Sequence, residues 1–236
     1  MSTPEPNAAT PLRHVHVLNG LGADIVAGRL EPGTSVTLDQ LQDRYGASRG
    51  LVRECMRILE GLGMLRSQRR TGIEIRPPES WNAYDPMIIR WRLEGPDREE
   101  QLQVLTELRL GLEPVASRLA ALRAAEDERD ELREVMAMLR ANGEAGRQSR
   151  HLDADLRFHA VIMTASHNPM YTAMVPVVRE VLQARRRHEE IDRPHVLAAL
   201  DRHERVARAV LAGDEQEAEL AMHDLLAEVR QTLSAD

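Results

Sequence analysis

Two short amphipathic runs, each opened by a hydroxyl residue and closed by glycine, constrain this chain most. Thr37 precedes LDQLQDRY, which Gly46 ends; Ser48 precedes RGLVRECMRILEGL, which Gly63 ends. A Ser or Thr oxygen satisfies free N–H groups at a helix start, and glycine takes the left-handed conformation that stops one. The pair therefore reads as two consecutive helices joined by a tight turn. Upstream, helical pattern runs from about His14 to Ala27, and LEPG is a turn. Downstream, Met64–Ser67 and Ile73–Arg76 are strand candidates around the polar turn QRRTG.

That order is helix, helix, turn, helix and β-hairpin, a winged helix-turn-helix. Pro77-Pro78 ends it, and ESWNAYD is a linker. The expected domains are 12–77, a winged helix-turn-helix; 78–84, a linker; and 85–236, an all-helical bundle. The fold class is mainly α. Helices are expected over 85–94, 97–124, 127–141, 150–166, 169–188, 194–212 and 214–233, with Asp97 and Asp214 as caps. Trp81 and Trp91 are read as packing residues of the interdomain hinge. Aromatics make up only 3% of residues, which fits Leu/Ala/Val-packed helices rather than a β-sandwich.

Charge is divided unevenly. Residues 1–77 carry ten Arg against eight Asp/Glu, whereas residues 78–236 carry 21 against 30. A mildly basic small part on an acidic large part suits a DNA reader with a separate sensing module. Cys55 is the single cysteine, which excludes an intrachain disulfide and fits a reducing compartment. No stretch approaches the ~20 apolar residues a membrane span needs, so a soluble, cytoplasmic protein is expected.

Arg49, Arg53 and Arg57 recur every fourth residue and share one face of the second capped helix. Val52, Cys55, Ile58, Leu59 and Leu62 form its apolar back. An Arg face fits the major groove, where guanidinium groups read guanine edges or clamp phosphates. Ser48, at the helix start, can donate to a phosphate. Arg69 and Arg70 in the hairpin can reach the minor groove or the backbone, with Gly72 permitting close approach. A plain solvated Arg face is the competing reading.

The stretch LDQLQDRYGASRGLVRECMRILEGLGMLRSQRRTGIEIRPP resembles the GntR family of bacterial regulators. Ser48, Arg49, Arg53-Glu54 and Gly72 match its pattern. Asp39 stands where some members carry a DNA-contacting Arg.

In 97–124 the stripe Leu102, Leu105, Leu112, Ala116 and Leu119 is interrupted by Arg109. A buried Arg needs an anionic partner. That partner is either an effector carboxylate or a structural salt bridge. Asp155 and His159, four apart, share a face; His203 lies on the stripe Val196, Leu200, Val206 and Val210. Their meeting would suit a divalent ion such as Zn²⁺, or a metal-free hydrogen-bonding core. Asn168 is either an effector contact or a cap before Pro169.

Residues 81–236 resemble the helical effector-binding (FCD) domain of the FadR-type branch of the same family, in ELRLGLEPVASRLAA, DLRFHAVIMTASHNP and DRHERVARAVLAGDEQEAELAM. The resemblance implies a metal held by Asp155, His159, His203 and a fourth ligand. That fourth position falls at Leu225, and His223 lies about 200° around the helix from it, so the site is incomplete. ESWNAYDPMIIRWRLEG with Arg109 is most similar to repressors that sense sugar acids, gluconate above all. Arg109, Asp155, His159, Asn168 and His203 are then the effector residues. The implied protein is a homodimeric repressor, released from operator DNA by a small carboxylate. It has no catalytic residues; P-loop, GxGxxG and HExxH motifs are absent. A metal-dependent enzyme, or a purely metal-sensing regulator built on Asp155, His159 and His203, is the alternative.

Overall fold

The computed structural model describes residues 9–68, 72–188 and 193–233. Their contacts divide the chain into two compact units, with the boundary between Arg98 and Glu99.

In the first unit, α1 (Ala9–Val26) buries Val17, Leu18, Leu21 and Ile25. Helix α2 (Leu38–Tyr45) starts with a reciprocal cap. The Thr37 hydroxyl accepts from the Gln40 amide, and the Gln40 side chain accepts from the Thr37 amide. Gly46 ends it in the left-handed conformation. Helix α3 (Arg49–Gly61) follows at once, with Ser48 Oγ accepting from the Leu51 amide at 3.4 Å. Val52, Cys55 and Leu59 form its buried side, as the apolar spacing predicts. Burial pushes the Cys55 thiol up to about 11, and Sγ–H points at the His14 carbonyl, 3.9 Å away.

The hairpin pairs β2 (Leu65–Gln68) with β3 (Gly72–Ile75), with Arg66 opposite Glu74. A third strand, β1 (Ser35–Val36), pairs with the other edge of β3, with Val36 opposite Ile73. Two residues are too few for an alternation signal, so sequence pattern could not reveal β1. Gly72 is explained by this strand: a Cβ there would lie 2.8 Å from the Val36 carbonyl. Gly63, at φ 78°, is still tighter, with a Cβ 2.2 Å from the Ser80 carbonyl.

Asp24 ties α1 to α2. Its nearly buried carboxylate accepts from Arg29 Nε (2.5 Å), Arg44 Nε (2.8 Å) and the Tyr45 hydroxyl (2.6 Å). After a turn at Pro78–Ser80 comes α4 (Pro86–Leu93), capped by Asp85, whose carboxylate accepts from the Met87 amide. Helix α4 packs on α1, and the Trp91 indole donates to Asn19 at 3.1 Å. Trp81 donates to the Arg76 carbonyl at 3.0 Å. The sequence assigns α4 to the second domain and both tryptophans to a hinge. By contacts, α4 and both rings belong to the first unit, because Trp91 is buried in its core.

The second unit holds nearly all of α5 (Arg98–Arg123), then α6 (Glu126–Glu144), α7 (Gln148–Ala165), α8 (Pro169–Thr172), α9 (Val175–His188), α10 (Arg193–Ala212) and α11 (Glu215–Leu233). The expected single helix over 169–188 is two. Pro176 is the cause, because its ring would clash with the carbonyl four residues back, that of Thr172, where α8 stops. Helices α6 and α7, α6 and α10, and α10 and α11 pack pairwise over a core that includes Phe158, Ile162, Val206, Met222 and Leu225. Among the described residues no helix is long and apolar enough to cross a membrane.

Arg129 of α6 clasps two helix ends. It donates to the carbonyls of Ala121 and Ala124 at the end of α5, and of Val210 and Leu211 at the end of α10, at 2.9–3.2 Å. They lie where helix carbonyls run out of i+4 partners, although that of Val210 also accepts from the Gly213 amide at 3.1 Å. Replacing Arg129 with Met should lower the unfolding free energy by about 2–3 kcal/mol, the range for lost charged hydrogen bonds. Urea denaturation checks this; an unchanged midpoint would remove the clasp from the account.

Candidate functional site

Three helices bring the charged residues of the second unit together. On α5, Arg109 and Glu113 are four apart and lie on the buried side. On α7, Asp155 and His159 have the same spacing. His203 enters from α10. Arg109, Glu113, His159 and His203 are all buried, whereas the Asp155 carboxylate keeps a small exposed area.

Glu113 is the residue that sequence reasoning missed. Its Oε1 accepts from Arg109 Nε at 2.5 Å, and its Oε2 accepts from His159 Nδ1 at 2.5 Å. The anionic partner of Arg109 is thus a structural one, four residues along its own helix. The i, i+4 spacing of ELRLGLE carried that signal. Arg109 is not exhausted by this pairing. Nη2 lies against the His159 ring, 3.4 and 3.5 Å from its two nitrogens, and Nη1 is buried without a hydrogen-bond partner.

The tautomers follow from the acceptors. A carboxylate and a carbonyl can only accept, so His159 donates through Nδ1 to Glu113 and His203 donates through Nδ1 to the Ala199 carbonyl at 2.7 Å. Both rings therefore turn Nε2 towards Asp155: His203 Nε2 is 3.0 Å from Oδ1, and His159 Nε2 is 3.6 Å from it. One ligand atom from each of the three residues lies within 4.8 Å of the others. Donors around a tetrahedral zinc lie about 3.3 Å apart, given bonds near 2 Å. The two Asp155 distances bracket that value, and both rings already have the second hydrogen bond that metal-bound histidines use. These three residues fit a divalent ion. Leu225 packs into the apolar core, and His223 is exposed. Among the described residues the donor set is these three.

Burial alone would raise the Glu113 carboxyl. The charges of Arg109 and His159, with their hydrogen bonds, outweigh it and hold the group at about 2. Burial likewise opposes ionisation of Asp155, yet the His203 hydrogen bond and the charges of His203, His159 and Arg109 hold it well below the usual range. A pKa lower in the folded than in the unfolded state stabilises the fold above the unfolded value. That stabilisation is lost as pH falls through the folded one. Metal-free protein should lose stability progressively from about pH 4 towards pH 2, and Glu113→Gln should flatten that limb. Circular dichroism during acid titration checks it; a variant profile parallel to wild type would refute it.

Asn168 serves as the N-cap of α8, its side-chain oxygen accepting from the Met170 amide at 3.0 Å. This is the capping alternative.

On the first unit, Ser48, Arg49, Arg53 and Arg57 are exposed along α3. Arg49 Nη1 donates to Asp39 Oδ1 of α2 at 3.3 Å. The acid that departs from the family pattern thus lies beside a predicted DNA-reading Arg. Arg69 and Arg70 lie outside the described residues.

The family description "Bacterial regulatory proteins, gntR family" matches residues 14–75, and "FCD domain" matches residues 104–228, more than half the chain. The chain belongs to the GntR family, with an FCD domain. An uncharacterized helix-turn-helix-type transcriptional regulator of Escherichia coli, YieP, is 28% identical over 87% of this chain and 89% of its own length. The galactonate operon transcriptional repressor of E. coli is 27% identical, over 64% of this chain and 65% of that protein. A putative L-lactate dehydrogenase operon regulatory protein of E. coli is 29% identical over 86% and 80%. Among solved structures, one titled for Lar, which controls the Listeria monocytogenes agr system, shares the fold at TM-score 0.61 and 15% identity, covering 99% of both chains. The chain is a transcriptional regulator of a family that binds operator DNA and small-molecule effectors. The metal-dependent enzyme alternative is thereby set aside, because family and relatives are regulators rather than enzymes.

Proposed function

We propose that this regulator is a homodimeric repressor, that its α3 helices read a pseudo-palindromic operator, and that a hydroxylated carboxylate of the sugar-acid class releases it. The buried, unpartnered Nη1 of Arg109 beside Asp155, His159 and His203 carries the effector half of this reading. An Arg donor with no protein acceptor, in a site rich in polar groups, suits a carboxylate with adjacent hydroxyls. The galactonate repressor among its relatives supports the same class. Asp155, His159 and His203 would hold a divalent cation such as zinc, which supplies Lewis-acid attraction for effector oxygens. Two-fold symmetry follows from the logic of operators, since two heads one helical turn apart match a palindrome.

A thermal-shift screen of D-galactonate, D-gluconate and L-lactate tests the ligand class. A ligand that binds only the folded state raises the midpoint. Arg109→Lys is the informative variant, since it keeps a cation beside Glu113 but loses the guanidinium fork. It should retain DNA binding and weaken the effector response at least about tenfold. A normal response in this variant would refute the carboxylate assignment.

For the DNA half, a duplex recovered by the protein from a random library serves as the probe. Arg53→Ala should weaken binding to it by about 1–3 kcal/mol if Arg53 reads a base. Equal affinity by fluorescence anisotropy would end that role. Chelator treatment separates a purely metal-sensing regulator, which would lose DNA control without any organic ligand.

A further inference from the structure

Glu113 is not among the residues that the resemblance places at the ligand, yet it is completely buried and divides its two oxygens between Arg109 and His159. Without an acceptor at Nδ1, the His159 ring could turn over and present either nitrogen. With a carboxylate there, Nδ1 carries the proton and Nε2 carries the lone pair, 3.4 Å from Arg109 Nη2 and 3.6 Å from Asp155 Oδ1. His203 Nδ1 is likewise held, by the Ala199 carbonyl of its own helix, while its Nε2–H donates to Asp155 in the metal-free protein, a proton that a cation would displace. The two rings thus have unequal supports: one main-chain atom that no substitution removes, and one side chain that a single substitution does. Arg109 adds an opposing demand. Its guanidinium lies 3.4 Å from His159 Nε2, the atom a cation would take, and repels any ion placed there. The charge of Glu113 offsets that repulsion while its hydrogen bonds hold both side chains in place.

We propose that Glu113 is a positioning residue for a divalent cation at Asp155, His159 and His203, acting by fixing the His159 ring with Nε2 towards the site. The inference rests on the metal reading given above. Partners of this kind typically contribute 10–100-fold to metal affinity.

The test is Zn²⁺ titration of the full chain after chelator dialysis. Wild type should bind, and Glu113→Leu, which has no acceptor, should bind about 10–100-fold more weakly. A double variant, Arg109→Met with Glu113→Leu, separates ring orientation from charge, because it removes the repelling cation without restoring the anchor. It should stay at least about tenfold weak. If Glu113→Leu binds like wild type, or the double variant recovers wild-type affinity, the inference is overturned while the metal reading stands. If wild type itself does not bind Zn²⁺, both fall.

Imidazole ¹⁵N spectra of wild type give a readout independent of how the variants fold. His159 should show Nδ1–H and a metal-sensitive Nε2 on Zn²⁺ addition. A ring ligating through Nδ1 would overturn the inference.

Discussion

The buried carboxylate of Glu113 sets the terms for the rest of the second unit. An anion with no solvent exposure is costly unless its lone pairs are met by charge-assisted donors. Glu113 meets that condition with Arg109 on its own helix and His159 on α7. The consequence is geometric as well as energetic. Helix α5 must present two residues one turn apart to α7, and α7 must present His159 and Asp155 one turn apart to α10. The helices are therefore held in register by polar contacts beside an otherwise apolar core. Apolar packing tolerates sliding between similar surfaces better than a directional hydrogen bond does.

The same arrangement explains why Arg109 can be both structural and available. Its Nε belongs to Glu113, its Nη2 lies on the His159 ring, and Nη1 is left over. A buried N–H without an acceptor is unfavourable, and proteins keep such groups mainly where something else satisfies them. An effector carboxylate would do so, with a guanidinium that is already oriented and desolvated. Binding then would not have to order a long flexible side chain, which is one of the larger costs of association.

Much of this was legible in the sequence, and the illegible parts share a cause. The first unit was readable because its elements are local: caps at Thr37 and Ser48, glycine stops at Gly46 and Gly63, and a four-residue Arg period. The grouping of Asp155, His159 and His203 was also readable, because each lies on an apolar stripe that must face the core. What escaped was set by pairing between elements. Strand β1 is two residues long and exists through its bonds to β3. The place of α4 depends on Trp91 finding Asn19, far away in sequence. Glu113 was not legible because the interrupted stripe shows that Arg109 needs an anion without showing whether an effector or a carboxylate of the chain supplies it. The nearest candidate was one helical turn away.

Asp39 shows how a single departure changes the DNA-facing surface. An acid facing a phosphate backbone is repulsive, so its presence on α2 has to be weighed against what it touches. It touches Arg49, the first Arg of α3. Both side chains are exposed, so the pair adds little to stability in the free protein. Its effect is instead on which contacts are open to Arg49. A guanidinium already sharing a carboxylate is less drawn to phosphate oxygens and more restricted in direction. Reading DNA through base edges depends on direction, whereas holding the backbone depends mainly on charge. On the DNA-reading role proposed for α3, Asp39 would restrict Arg49 and leave Arg53 and Arg57, further along the same helix face, without that contact.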